Sequence, residues 1–214
     1  MKLGLMVPQN NTTMEPELVA WLGKGTSCQT LRIAREAGLM TKESVPAYVA
    51  QALELAKSFR DPDTVVYGCT SAGFILGPKG DAELSKDLAR ATGKRVVTTA
   101  RSVADVLKRE KAERIAVVTP YSEQVNRQLT DFLTACGLNV ARLETLGAKN
   151  VEELGRITSD QVAALARKTM GPEHDMLFIA CTQLPTYDIV PQLRREFGRP
   201  VWSSNQAVAD AVAH

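Results

Sequence analysis

The chain has 214 residues, 44% hydrophobic and 23% charged, with 26 Lys+Arg against 24 Asp+Glu for a formal net charge of +2. These ordinary globular values exclude disordered and collagen-like classes, and the near-neutral charge leaves no electrostatic case for a nucleic-acid partner. No apolar run reaches the roughly 18 residues of a membrane span and the N-terminus lacks the length and cleavage site of a signal peptide, so a cytoplasmic protein with no membrane partner is expected.

Leu3 to Val7 reads as a buried strand, and Pro8-Gln9-Asn10-Asn11-Thr12-Thr13 as a polar loop leading into a helix that Thr12 or Thr13 can cap, with Glu15 and Glu17 in its first turn. A weak strand over 27–33 precedes a helix over 41–60, where Val45, Val49, Leu53 and Ala56 recur at helical spacing. The apolar run Val65-Val66-Tyr67 then ends in Gly68-Cys69-Thr70-Ser71. Gly77-Pro78-Lys79-Gly80 reads as a turn, followed by a helix over 81–91, a strand over 95–99 and a helix over 101–111. A second series follows: strand 114–118, helix 121–135, strand 138–143, helix 158–170, strand 176–180, helix 188–197, strand 200–203 and helix 205–213.

The second series repeats the first. Cys181 follows Cys69 by 181 − 69 = 112 positions, and the same interval separates Pro8 from Pro120, each closing an apolar strand. Strands alternating with helices imply parallel sheets covered on both faces. The fold class expected is therefore α/β with two pseudo-symmetric lobes, 1–100 and 101–214, each a parallel sheet flanked by helices. The active site falls in the cleft between them, and the last helix is free to pack on the first lobe. Ligands of such sheets bind beyond the carboxyl ends of the strands. That rule selects Asn10, Asn11, Thr12, Cys69, Thr70, Ser71, Tyr121, Cys181 and Thr182.

Four cysteines without close spacing and only two histidines give little material for a disulfide framework, a metal site or a histidine-based triad, so no metal and no cofactor is expected. Cys28 and Cys136 read as small hydrophobes. Cys69 and Cys181 end their strands, each followed by a hydroxyl and by the N–H groups of a turn into a helix, a setting that depresses a thiol's pKa. No basic residue stands in these loops. Asn side chains, hydroxyls and backbone N–H groups can hold a carboxylate in the manner of an oxyanion hole. A small carboxylate or dicarboxylate would then lie between two sulfurs, open either to proton transfer between its faces or to attack by a thiolate. A non-catalytic carboxylate-binding module is the remaining class, and a homo-oligomer is compatible with all of them.

The segments Val7-Pro8-Gln9-Asn10-Asn11-Thr12-Thr13-Met14-Glu15, Val118-Thr119-Pro120-Tyr121 and Cys181-Thr182-Gln183-Leu184-Pro185-Thr186 resemble the aspartate/glutamate racemase superfamily, within it the maleate cis-trans isomerase and arylmalonate decarboxylase branch. The resemblance spans nearly the whole chain. It implies a cofactor-independent isomerase of a small dicarboxylate, maleate to fumarate, with Cys69 as nucleophile, Cys181 as acid/base partner, and Asn11, Tyr121 and Asn150 as carboxylate or intermediate binders. An amino-acid or hydroxy-acid racemase and an arylmalonate-type decarboxylase are the alternatives. Gly68 to Phe74 is more similar to the racemase and decarboxylase loops, but the decarboxylases keep only the second cysteine, and two cysteines argue for an isomerase or racemase.

Overall fold

The structure is a computed structural model and describes residues 1–34 and 40–214. Two four-stranded parallel sheets form its frame. In the first, β1 (Lys2–Pro8) lies between β2 (Ser27–Ile33) and β3 (Thr64–Tyr67), with β4 (Arg95–Thr98) beyond β3. The second places β5 (Ile115–Thr119) between β6 (Val140–Thr145) and β7 (Met176–Ile179), with β8 (Val201–Ser203) outermost. The interval of 112 extends to the pairing register: Leu3 opposes Thr64 as Ile115 opposes Met176, and Met6 opposes Tyr67 as Val118 opposes Ile179. The central strands are buried along their length, as their continuous apolar runs dictate, while β2 and β6 are partly open edges. In the order β2-β1-β3-β4 the chain reverses direction between β1 and β3, and the equivalent switch lies between β5 and β7. A ligand crevice belongs at the carboxyl end of each switch.

Helix exchange joins the two halves. Helix α4 (Thr99–Arg109) leaves the first sheet, yet its Ala100, Val103, Val106 and Leu107 share a core with Ile115, Val117 and Phe178 of the second. Conversely α9 (Ser204–Ala213) follows β8 and sends Val208, Ala209 and Val212 into the core of Leu3, Leu5, Val66 and Val97, alongside Met14 and Leu18 of α1 (Met14–Leu22). Arg109 of α4 pairs with both oxygens of Asp210 of α9 at 2.8 and 3.0 Å. Each sheet is thus roofed in part by a helix that emerges from the other. No helix among the described residues is long and apolar enough to cross a membrane.

Several elements differ from the sequence-based expectation. Helix α2 (Val45–Ala56) starts later because Thr41 to Ser44 closes its own turn, with Thr41 N–H donating to Ser44 Oγ at 3.0 Å, and Pro46 occupies the first helical turn. The expected turn at Gly77–Gly80 is a kink inside α3 (Thr70–Thr92): Gly77 takes φ 72°, open to glycine, and Pro78 starts the second half. β6 begins two residues late because Gly137 (φ 80°) and Leu138 finish α5 (Glu123–Ala135), Leu138 N–H reaching Leu133 O at 2.9 Å. Helix α6 (Val151–Gly155) was not expected, since five residues carry no readable periodicity. The chain continues through α7 (Ser159–Thr169) and α8 (Ile189–Phe197), close to their expected bounds.

Asp81, in the second half of α3, is buried (3% exposed) and accepts one hydrogen bond, from the Thr98 hydroxyl at 2.6 Å, while its Oδ1 has no protein partner. Burial pushes its pKa from 3.8 to about 6, against the opposing effects of Thr98 and Arg101. Between pH 4 and 6 the folded chain therefore holds a proton that the unfolded chain has released, so this group's contribution to stability falls as pH rises through that window. The loss amounts to about 3 kcal/mol, at about 1.4 kcal/mol per pH unit. Asp81→Asn should flatten this part of the profile and raise the chemical-denaturation midpoint at pH 7 more than at pH 4, measured by urea titration at both pH values.

Candidate active site

The carboxyl ends of β1, β3, β5 and β7 converge on one cleft with a cavity of about 40 Å³, its wall formed by Pro8, Asn10, Asn11, Cys69, Thr70, Ser71, Pro120, Tyr121, Cys181, Thr182 and Gln183. Met40, Val125 and Leu154 supply an apolar side. No charged side chain lines this cleft among the described residues.

Cys69 is the N-cap of α3, in extended conformation (φ −126°, ψ 102°), with Ser71 Oγ 3.9 Å from its sulfur. It is 3% exposed. The first N–H groups of a helix have no intrahelical acceptor, so the positive end of α3 opens beside this thiol. Gly68 must precede it. A Cβ there would stand 2.4 Å from Met14 Sδ and 2.9 Å from Met6 O, so only glycine lets the strand end pass beneath α1.

Cys181 occupies the same place after β7, but its surroundings differ. Its φ is 114°, rare for a residue with a side chain, and the segment that follows is a turn, with α8 starting only at Ile189. The expectation of a helix N-terminus and an acidified thiol therefore fails here. Burial pushes the Cys181 thiol up to about 11, although the Gln183 N–H, 3.4 Å from its sulfur, and the Tyr121 hydroxyl oppose the shift.

Asn11 does more than line the wall. Its Oδ1 accepts from the N–H groups of Thr13 and Met14 at 3.1 and 3.0 Å, which caps α1, a task expected of Thr12 or Thr13. Its Nδ2 donates to Thr182 Oγ1 at 3.0 Å, and that hydroxyl donates to Gly68 O at 3.2 Å. Two expected binders are thus partners of one another across the joint between the sheets. One hydrogen of Asn11 Nδ2 remains for a ligand. Tyr121 Oη, Thr70 Oγ1 and Asn10 Oδ1 are buried with no protein hydrogen bond of ordinary geometry, although the Tyr121 hydroxyl stands close enough to Cys181 and Thr70 to interact with both. Burial and the neighbouring cysteines raise the Tyr121 pKa well above its ordinary value, so it stands in the cleft as a neutral phenol. Asn150 is not brought to the wall. Its Oδ1 caps α6 through Glu153 N–H at 2.8 Å, and the α6 residue that reaches the cleft is Leu154.

Three residues that the sequence reading missed support the second cysteine. Gln183 exchanges hydrogen bonds with Thr12, Oε1 accepting from the Thr12 N–H at 3.0 Å and Nε2 donating to the Thr12 hydroxyl at 3.3 Å. Ser204 Oγ accepts from Cys181 N–H at 3.1 Å. Asn205 Nδ2 reaches both Thr182 O at 3.3 Å and the Glu17 carboxylate at 2.7 Å. The one available signal was the similarity of the tails, Thr92 to Thr99 and Phe197 to Ser204, which puts Ser204 opposite Thr99. Thr99 differs in its work, its hydroxyl donating to Tyr67 O at 3.0 Å rather than accepting from the cysteine N–H. Among the described residues no group of three or more His, Cys, Asp or Glu could hold a metal ion.

Comparison with known proteins agrees with this geometry. The chain is 29% identical to a maleate isomerase of Nocardia farcinica over 223 residues, covering 99% of this chain and 88% of that one. It is 28% identical to an arylmalonate decarboxylase of Bordetella bronchiseptica over 174 residues, covering 79% and 72%. The solved structure of a cysteine-to-serine variant of Nocardia farcinica maleate cis-trans isomerase, with a covalently bound succinylcysteine intermediate, superimposes with a TM-score of 0.90 at 28% identity, covering 99% of this chain and 90% of that one. The family model for arylmalonate decarboxylase matches residues 3–214. Since that match takes in both sheets and both cysteine-bearing strand ends, the chain belongs to the arylmalonate decarboxylase family.

Proposed function

We propose that the protein is a cofactor-independent isomerase of a small unsaturated dicarboxylate, converting maleate to fumarate. The observation that carries this reading is the pair of thiols on one cleft lined, among the described residues, by no charged side chain, one thiol at an open helix N-terminus and the other in a strained turn. The succinylcysteine held by the Nocardia farcinica relative is the adduct that such a pair would form with maleate.

The Cys69 thiolate adds to one olefinic carbon, forming a C–S bond. The π pair moves to the adjacent carbon and its carboxylate, and takes the proton of the Cys181 thiol. The former double bond is now single and rotates. Cys181, now a thiolate, removes the proton again, the double bond re-forms and the C–S bond breaks to return Cys69. Atoms and electrons balance without any co-reactant. The α3 N-terminus favours the negative charge that Cys69 carries before addition and after elimination. Asn10, Asn11 Nδ2, Thr70, Ser71, Tyr121 and the turn at Thr182 provide neutral donors for the carboxylates, the arrangement of an oxyanion hole. The unlike settings of the two thiols favour unlike roles, whereas a two-base racemase would be served by matched ones. Four free cysteines fit the cytosol, where thiols stay reduced.

Incubation with maleate in metal-free buffer should yield fumarate by NMR. Cys69→Ser should abolish turnover, because a hydroxyl near its free pKa is a far weaker nucleophile than a thiolate. Cys181→Ser should slow turnover by about 10²–10⁴-fold and accumulate an adduct on Cys69, seen as a mass increase of one maleic acid. Retention of full activity by both variants would defeat the reading. Solvent deuterium entering a recovered amino or hydroxy acid, without any adduct, would favour the racemase.

The raised thiol gives a separate check. In Cys69→Ser protein, alkylation of Cys181 by iodoacetamide should climb about tenfold per pH unit from pH 7 to 9 without a plateau, since only the thiolate reacts. A plateau below pH 9 would mean a Cys181 that ionises too easily to deliver a proton.

A further inference from the structure

Glu17 is a buried acid that the chemistry above does not use. It lies in the first turn of α1 and is 7% exposed. Its carboxylate accepts four hydrogen bonds: from the N–H groups of Thr186 and Tyr187, the latter at 2.8 Å, from the Thr186 hydroxyl at 2.7 Å and from Asn205 Nδ2 at 2.7 Å. All four bonds are to neutral donors. Burying a carboxylate is costly unless its acceptor sites are filled, and here every donor comes from the second half of the chain while Glu17 comes from the first.

Thr186 and Tyr187 belong to the turn that follows Cys181, and Asn205 also holds Thr182 O. That turn starts at the φ of 114° on Cys181. Such backbone persists only where the surroundings over-determine it. Ser204, Asn205 and Glu17 are those surroundings. The first half has no counterpart: Cys69 is in ordinary extended backbone, and Ala100 stands where the tail alignment places Asn205.

We propose that Glu17 is a positioning residue, which holds the Cys181 turn in its strained shape from across the joint and so sets the Cys181 thiol against the cleft. Its effect on turnover rests on the isomerase reading, while its effect on the thiol does not. Glu17 acts on the proton-handling step and leaves addition at Cys69 intact.

Glu17→Gln keeps the shape of the side chain but turns an NH2 toward donors. Iodoacetamide should then label Cys181 at least about tenfold faster as its turn loosens, with Cys69 within about twofold of wild type. On maleate, kcat should fall by about 10²-fold, as for a misplacement of about 1 Å, with KM changed less than about threefold and the Cys69 adduct still forming. Thr186→Val, which removes one hydroxyl bond, should shift Cys181 labelling in the same direction by less, and it decides the matter if Glu17→Gln does not fold. Unchanged Cys181 labelling overturns the proposal. Equal acceleration at both cysteines, or loss of adduct formation, also overturns it, because either would mean a general loosening of the joint. If the wild-type protein neither converts maleate nor forms an adduct, the isomerase reading fails, and the ratio of the two labelling rates alone decides the role of Glu17.

Discussion

Asn11 Nδ2 donates across the joint to Thr182 Oγ1, which passes a hydrogen bond on to the carbonyl of Gly68, the residue before Cys69. Three loops that close the site are tied by these two bonds, and both thiols stand one residue from a tied group. The bonds are buried, so losing one partner leaves the other unsatisfied, at a cost of about 1–3 kcal/mol per group. The dependence runs outward from there. Asn11 also caps α1, α1 carries Glu17, and Glu17 holds the turn after Cys181. The glycine at position 68 is required because Met14 of that same helix lies against it.

Duplication explains why two thiols exist, and divergence explains how they differ. The register of β1 with β3 recurs in β5 with β7 at the same interval, so Cys69 and Cys181 leave equivalent strand ends. After Cys69 the chain enters α3 at once, and helix N–H groups open beside the sulfur. After Cys181 it enters a turn that spends its own N–H groups on Glu17 and on the Cys181 sulfur. One thiol faces the open N–H groups of a helix, whereas burial favours the neutral form of the other.

The parallel sheets and the paired cysteines were legible because both depend on local patterns, apolar runs bounded by turn residues and a repeated interval. The kink at Gly77 and the short α6 were not, since a Gly-Pro pair also marks an ordinary turn and five residues hold no periodicity. Glu17 is the instructive miss. In the sequence it looks like a surface acid complementing a helix dipole, and only contacts 169 to 188 residues away reveal it as buried. Asn11 was expected only as a cleft residue, and its capping of α1 went unread. The likeness of Asn150 to a binder was likewise local, while its side chain is committed to capping α6.

Among the described residues no charged side chain lines the cleft, which bears on the proposed chemistry as well as on binding. A lysine or arginine beside the carboxylates would hold the substrate dianion tightly, but it would also favour the Cys181 thiolate and weaken that residue as a proton donor in the proposed cycle. Neutral donors avoid this. In the proposed cycle they would stabilise the charge as it moves from sulfur to carboxylate, while burial pushes the Cys181 thiol up to about 11. The scarcity of the thiolate at neutral pH is then harmless. In the proposed cycle Cys181 would start as the thiol, become a thiolate only by protonating the adduct, and at that moment be a base strong enough to take the same proton back. In the proposed cycle a thiol that ionised readily could give its proton but would recover it poorly, and the turn that stands after Cys181 in place of a helix suits the pair to that exchange.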